Sequence, residues 1–156
     1  MVRNGLHAAE SDEEKEAVYR FRYDVYVEEM GRYRAIADHE NRRFREPEDD
    51  TARIFYAAEN GEVVATSRMS WGGDAPFTER LVDHYRLGPF LAELHPEAMV
   101  VGERGMVKPG LRGSSIFMDL GKESSKFMSE NRVQLIFGAC EPHLLSLYVG
   151  RGSRTF

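Results

Sequence analysis

The chain has 156 residues, of which 42% are hydrophobic and 30% charged, and its formal net charge is −5 at pH 7. That is enough for one compact domain with a real core over residues 1–156. The acidic balance argues against a general nucleic-acid binder, and no apolar run approaches the roughly 18 residues of a membrane helix.

The opening "MVRNGLHAAESDEEKEAV" is polar and acidic, unlike a signal peptide, so a cytoplasmic protein is expected. Residues 11–29, "SDEEKEAVYRFRYDVYVEE", carry helix signals. Ser11 and Glu14 stand at capping-box spacing. Val18, Phe21 and Val25 form an apolar stripe, with Arg22 and Tyr26 near the same face. An arginine there needs a partner. Residues 30–50 form a long polar loop, a length that usually serves function. Residues 53–59 and 63–71 read as a hairpin about Asn60-Gly61. Residues 77–95 contain one or two short helices. Residues 98–107, "AMVVGERGMV", read as a strand whose Gly102 and Gly105 suggest a bulge or a close approach to the backbone. A helix follows over 114–130, with Ile116, Phe117, Leu120, Phe127 and Met128 on one side. Residues 133–140 read as a buried apolar strand, and Pro142 opens a last helix through Tyr148. The order predicts an α/β (α+β) domain with a mixed central sheet flanked by helices.

The chemistry begins where the 98–107 strand breaks at Pro109-Gly110 and meets Arg112-Gly113-Ser114-Ser115 before a helix. Backbone N–H groups and the helix dipole favour an anion there, and Arg112, Ser114 and Ser115 add donors. The plainer alternative is a helix simply capped by Ser114 or Ser115. In the loop, Glu46, Asp49 and Asp50 can hold an ammonium group or structural arginines, or form a solvated charge run. Arg68, inside a strand, calls for a carboxylate such as Glu46 or Asp49. Glu103 and Arg104 are strand neighbours and face opposite sides unless a bulge re-aims one. Tyr148 by itself reads as a core tyrosine. The single cysteine, Cys140, leaves no internal disulfide and no thiolate cluster. No HExxH, GxSxG or Walker pattern occurs, so no metal is expected.

In order, these pieces resemble the GNAT superfamily of acyltransferases. "VKPGLRGSS" stands where that family has its pantetheine-binding turn, and "LYVGRGS" stands where it has a tyrosine near the thioester sulfur. Ser115 and Phe117 replace expected glycines, and Ser153 replaces an aromatic residue. Those departures resemble the N-acyl amino acid synthases and the N-acyl-homoserine lactone (autoinducer) synthases. The resemblance rests on Arg22 and Tyr26, on Glu46-x-x-Asp49, on Arg68, on "RGMV" with Arg104, and on "LRGSS" and "CEPHLLSLY". Val101 stands where the autoinducer synthases have glutamate, and Glu103 can stand in for it.

The resemblance implies an N-acyltransferase moving a fatty acyl group from an acyl carrier protein, or from CoA, to the amine of an amino acid or related molecule. The thioester is a co-substrate, and no permanent cofactor is expected. Glu103, Arg104 and Tyr148 are the expected catalytic residues, with Glu103 as base. Arg22, Tyr26, Glu46, Asp49 and Arg68 are expected to bind the acceptor. Met106, Val107, Lys108, Arg112, Gly113, Ser114 and Ser115 are expected to bind the phosphopantetheine. Lys108, Arg112, Lys122, Lys126 and Arg132 can meet an acidic carrier protein, or form a solvated face. The chain ends at Phe156, where the superfamily continues for one or two strands, so the expected sheet lacks its last strands. A truncated carrier-binding module and a CoA-dependent N-acetyltransferase are the alternative readings.

Overall fold

Asn60 and Gly61 both take positive φ, 52° and 77°, the backbone of a tight two-residue hairpin turn. The turn folds β2 (Arg53–Glu59) against β3 (Glu62–Trp71). The computed structural model describes residues 1–154, apart from the side chain of Leu147; the last two residues of the expected 1–156 domain lie outside the described residues. β4 (Met99–Val107) pairs antiparallel with β3, and β5 (Leu135–Gly138) pairs parallel with β4. A short β1 (Gly5–Ala8), not foreseen from the sequence, adds to the outer edge of β2, giving the order β1-β2-β3-β4-β5. Its four residues carry no pattern of their own and are recruited by the β2 edge.

The helix expected over 11–29 forms in two parts. α1 (Asp12–Tyr23) is capped as expected, Ser11 and Glu14 exchanging side-chain and backbone bonds. The chain then continues as a π-helical segment, Asp24–Glu29. Val18, Phe21 and Val25 pack on Ile54, Tyr56, Val63 and Met106 across one sheet face. The other face is covered by α4 (Ile116–Glu130), whose Leu120, Ile116 and Phe127 meet Phe55, Ala65, Met69 and Val100. The insertion after β3 holds α2 (Glu79–His84) and α3 (Gly88–Leu91). There Leu81, Tyr85 and Leu87 pack with Met99, Val101 and Phe137. A short α5 (Leu145–Val149) follows β5. No helix among the described residues is long and apolar enough to cross a membrane.

Two features of the sheet position the site. β5 is shorter than the 133–140 expected and is not fully buried: Phe137 is buried, whereas Ile136 is 64% exposed. The reason is its place as the last strand among the described residues, with one face uncovered. Its pairing with β4 runs only from Met99–Leu135 to Gly102–Gly138. Beyond Gly102, β4 continues to Val107 beside β3 but with no strand on its other side among the described residues. β5 itself ends at Gly138, so that edge of β4 is open from Glu103 onward among the described residues.

Glu14 ties β1, α1 and β2 together. It accepts from the N–H groups of Glu10 (2.9 Å) and Ser11 (3.1 Å), from Arg3 (2.8 Å) and from the Tyr56 hydroxyl (2.8 Å). Burial opposes its charge, yet these donors hold the carboxyl at about 2, below the ordinary 4.5. Its folded value lies below its unfolded one, so it stabilises the fold above the ordinary carboxylate range and loses that contribution as pH falls toward 2. Glu14→Ala should lower unfolding stability at pH 7 by about 1–2 kcal/mol in urea titrations. It should also flatten the loss of stability between pH 4.5 and about 2.

Candidate active site

Arg68 sits in the middle of β3 with no side-chain exposure, directly opposite Glu103 on β4. Its guanidinium reaches Glu103 at 2.7 Å, Glu46 at 3.0 Å and Asp49 at 3.2 Å. The two loop carboxylates are set by a 3-10 turn, Pro47–Asp50, in which the Asp49 side chain accepts from the Glu46 N–H at 2.9 Å. Asp49 also receives Arg22 of α1 at 2.8 Å, both side chains being fully buried. Arg22, expected only to need a partner, finds Asp49, and Arg68, for which Glu46 or Asp49 was expected, finds both.

Arg104 joins the same cluster through a β-bulge. Thr66 pairs with Met106 and Arg68 with Glu103, so Ser67 alone faces Arg104 and Gly105. Arg104 takes the left-handed conformation, φ 56°. The bulge sends its side chain to the side that Glu103 occupies, where it forks onto Glu46 at 2.6 and 2.5 Å. The guanidinium lies 5.6, 5.0 and 5.6 Å from the ring centres of Tyr26, Tyr33 and Phe44, and bonds the Tyr33 hydroxyl at 3.1 Å. Tyr26 is part of this aromatic wall, and burial pushes its hydroxyl pKa up.

Sequence reasoning missed the contribution of α2. Arg80 grips both oxygens of Glu103, at 3.0 and 2.7 Å, and gives its Nε to Glu48 at 2.8 Å. The hydroxyl of Tyr85 reaches Glu103 at 3.1 Å, and Thr78 reaches Glu48 at 2.8 Å. No local pattern marks Arg80, and Glu48 is indistinguishable by composition from its acidic neighbours. The complete cluster alternates Arg22, Arg68, Arg80 and Arg104 with Glu46, Glu48, Asp49 and Glu103, so its formal charges balance.

Burial opposes the Glu103 charge, but hydrogen bonds from Arg80 and Arg68 hold its carboxyl at about 2. Burial opposes the Asp49 charge too, and Arg22 and Arg68 outweigh it. Burial and the Glu103 charge push Tyr85 well up, so it stays a donor. The expected role of Glu103 as base does not suit this geometry. Both its oxygens are engaged, and its proton affinity near neutral pH is too low. It is suited instead to holding a cation.

The remaining expected residues lie elsewhere. The Met106 side chain is buried under α1, and Val107 packs toward α4, so only their backbones line the open edge of β4. Arg112 does not stand free at the α4 N-terminus: it forks onto Glu29 at 2.6 and 2.8 Å and donates to the Val107 carbonyl at 3.2 Å. Lys108 pairs with Glu62 at 3.5 Å. Gly113 has φ 87°, which a side chain would strain. The Ser114 hydroxyl accepts a long 3.4 Å bond from the Ile116 N–H, and Ser115 donates to Asp119 at 2.9 Å. Ser115 stands at the N-cap of α4 but makes no side-chain capping bond, so the plainer alternative is met in position only, and any anion must compete with Glu29 for Arg112. Tyr148 lies on α5, partly buried, outside the ion network; burial first, and then Cys140, raises its pKa.

Asp49→Asn removes one partner from two buried arginines and should cost about 3–5 kcal/mol in chemical unfolding. Arg42→Ala, which deletes the exposed Arg42–Asp24 pair, should leave the unfolding midpoint nearly unchanged.

Comparison with known proteins follows the same geometry. No curated protein matches the chain in sequence. Among solved structures, the CoA-dependent acyl-homoserine lactone synthase BjaI, solved with SAM and isopentyl-CoA, superposes with a TM-score of 0.72 at 16% identity. The match covers 96% of this chain and 72% of that one. A second CoA-dependent acyl-homoserine lactone synthase, MesI, gives a TM-score of 0.64 at 21% identity, covering 94% and 73%. The aminoglycoside acetyltransferase HMB0005, from an uncultured soil metagenomic sample, gives 0.63 at 14%, covering 99% and 94%. At these identities the likeness is one of fold. Residues 21–122, from Arg22 of the ion network to the first turns of α4, match the acetyltransferase (GNAT) domain, and the chain belongs to that family.

Proposed function

We propose that the protein is an N-acyltransferase, built as one acyltransferase-like domain over 1–156, that moves a fatty acyl group from a thioester to the amine of an amino acid or related small molecule. The observation that carries this reading is the juxtaposition at β4. One edge of Glu103–Val107 has no strand partner among the described residues, because β5 ends at Gly138, and Glu103 and Arg104 of the same stretch enter a buried charged cluster. A donor and an acceptor can therefore meet across one strand.

The phosphopantetheine arm would lie along the open edge, using the backbones of Met106 and Val107. Its phosphate would reach Lys108, Arg112, Gly113, Ser114 and Ser115 once Arg112 leaves Glu29. The acceptor ammonium would approach Glu103 beside Tyr85, sharing its oxygens with Arg68 and Arg80, with Tyr26 and Glu46 nearby and Arg22, Asp49 and Arg68 buried behind them. Arg104 keeps Glu46 and the aromatic wall in place. After losing a proton to water, the amine attacks the thioester carbonyl and a C–N bond forms. The oxyanion would take N–H donors at the Gly105–Met106 bulge. The C–S bond then breaks, the thiolate takes a proton from Tyr148, which its raised pKa keeps protonated at neutral pH, and the nitrogen's second proton passes through water to restore Tyr148 and leave the amide.

The isopentyl-CoA bound to BjaI carries an alkyl chain longer than acetyl on its sulfur, which supports a donor whose acyl group is larger than acetyl. Within the basic cluster that could meet an acyl carrier protein, Lys108, Arg112 and Lys122 already have acidic neighbours, so CoA serves as donor equally well.

Incubation with long-chain acyl-carrier and acyl-CoA thioesters and a pool of amino acids, read by mass spectrometry, should give an N-acyl amino acid. Arg112→Ala should raise the donor KM about tenfold with a smaller effect on kcat. Donor binding without product would favour the carrier-binding module, and acetyl transfer alone would favour an N-acetyltransferase.

A further inference from the structure

Glu103 is gripped from two sides that differ in kind. Arg68 reaches it from β3 and is wholly buried, so nothing outside the protein can touch that contact. Arg80 reaches it from α2 and is 39% exposed, while Glu103 itself is 8% exposed. Arg80 is therefore the ceiling between the carboxylate and solvent. We propose that Arg80 is the positioning residue that orients the Glu103 carboxylate for the acceptor amine, an inference that rests on the docking role given to Glu103 above.

The geometry of α2 carries this. A guanidinium bonded to both oxygens fixes the plane of a carboxylate, which a single ammonium cannot do. The fork is itself held, because its Nε is bonded to Glu48 and Glu48 is bonded to Thr78, the N-cap of α2. The helix cannot roll freely, since Leu81 and Tyr85 are buried against Met99, Val101 and Phe137. The Tyr85 hydroxyl adds a third donor to the same carboxylate. Every element packed around Glu103 thus presents a charged or titratable group. Arg68 comes from β3, Arg80 and Tyr85 from α2 and its C-cap, and Arg104 from β4. Glu46 and Asp49 of the loop face Arg68, and Glu48 faces Arg80.

Without Arg80, Glu103 keeps Arg68 and Tyr85 but loses its two-oxygen partner. Burial then weighs more heavily, and its titration midpoint should rise from about 2 by about 1 pH unit or more. A residue that only glued α2 to the sheet through this ion pair would shift the midpoint as well, because the two are linked, but would leave the amine KM alone.

The test is carboxyl-carbon NMR titration of the wild type, Arg80→Gln and Arg80→Lys, with Glu103→Gln assigning the resonance and amide spectra confirming the fold. The expected result is a midpoint raised by about 1 pH unit or more in Arg80→Gln, with Arg80→Lys between it and the wild type. In acyl transfer, the amine KM should rise about tenfold or more, its acid limb moving upward with the midpoint, while kcat changes less. An unchanged midpoint in folded Arg80→Gln overturns the proposal, as does a shifted midpoint with an unchanged amine KM. If Arg80→Gln does not fold, Arg80→Lys decides in the same way, and a wild-type midpoint there overturns it. A wild type that transfers no acyl group removes the docking role of Glu103. The titration still decides whether Arg80 governs that carboxylate.

Discussion

A guanidinium buried in the middle of a sheet is costly unless its charge is matched on several sides, and Arg68 is such a group. Its match is three carboxylates drawn from two distant segments: Glu46 and Asp49 from the loop after α1, and Glu103 from β4. Each carboxylate is then shared with a second arginine, from α1, from the bulge or from α2. The loop cannot drift without orphaning Arg68 and Arg22, and α2 cannot lift without stripping a partner from Glu103 and Glu48. Such a network is weak evidence for net stability, because desolvation offsets most of the attraction. Its effect is to fix geometry.

That geometry makes β4 a divider. On one side of it the bulge gathers Glu103 and Arg104 into the ion cluster. At its edge the separation from β5 after Gly102 leaves backbone without a strand partner among the described residues. The bulge carries its own constraint at Gly105, where an added Cβ would stand 2.8 Å from the ring of Phe117. The glycine lets α4 close on the sheet while Arg104 adopts its left-handed backbone, a conformation that costs on the order of 1–3 kcal/mol and that the Glu46 fork offsets. Charge on one side and open backbone on the other are what a thioester and an amine need in order to meet.

The parts of this arrangement that were legible in the sequence are local or obligatory. Ser11 with Glu14 and Asn60 with Gly61 act over a few residues, so spacing alone finds them. Arg22 and Arg68 were legible as groups needing partners because an arginine on an apolar face must have a carboxylate, and for Arg68 the 46–50 stretch supplied candidates. The bulge was foreshadowed by Gly102 and Gly105, and with it the re-aiming of Glu103 or Arg104, although not which of the two would turn. Arg80, Glu48 and Tyr85 were not legible, because their roles arise from the rotation of one short helix and one 3-10 turn. The same holds for Glu29, which captures Arg112 across 83 residues of chain with no local signal at either end. β1 has no pattern of its own, and the exposure of Ile136 depends on what lies beside β5.

The most direct measurement is amide hydrogen exchange with and without a non-hydrolysable acyl-pantetheine thioether. If the open edge of β4 seats the donor, exchange slows over Glu103–Val107 and around Gly138, while the hairpin turn at Asn60–Gly61 is unaffected. Unchanged exchange along Glu103–Val107 under saturating ligand, or protection confined to another face of the sheet, would contradict β4 as the strand that joins donor and acceptor.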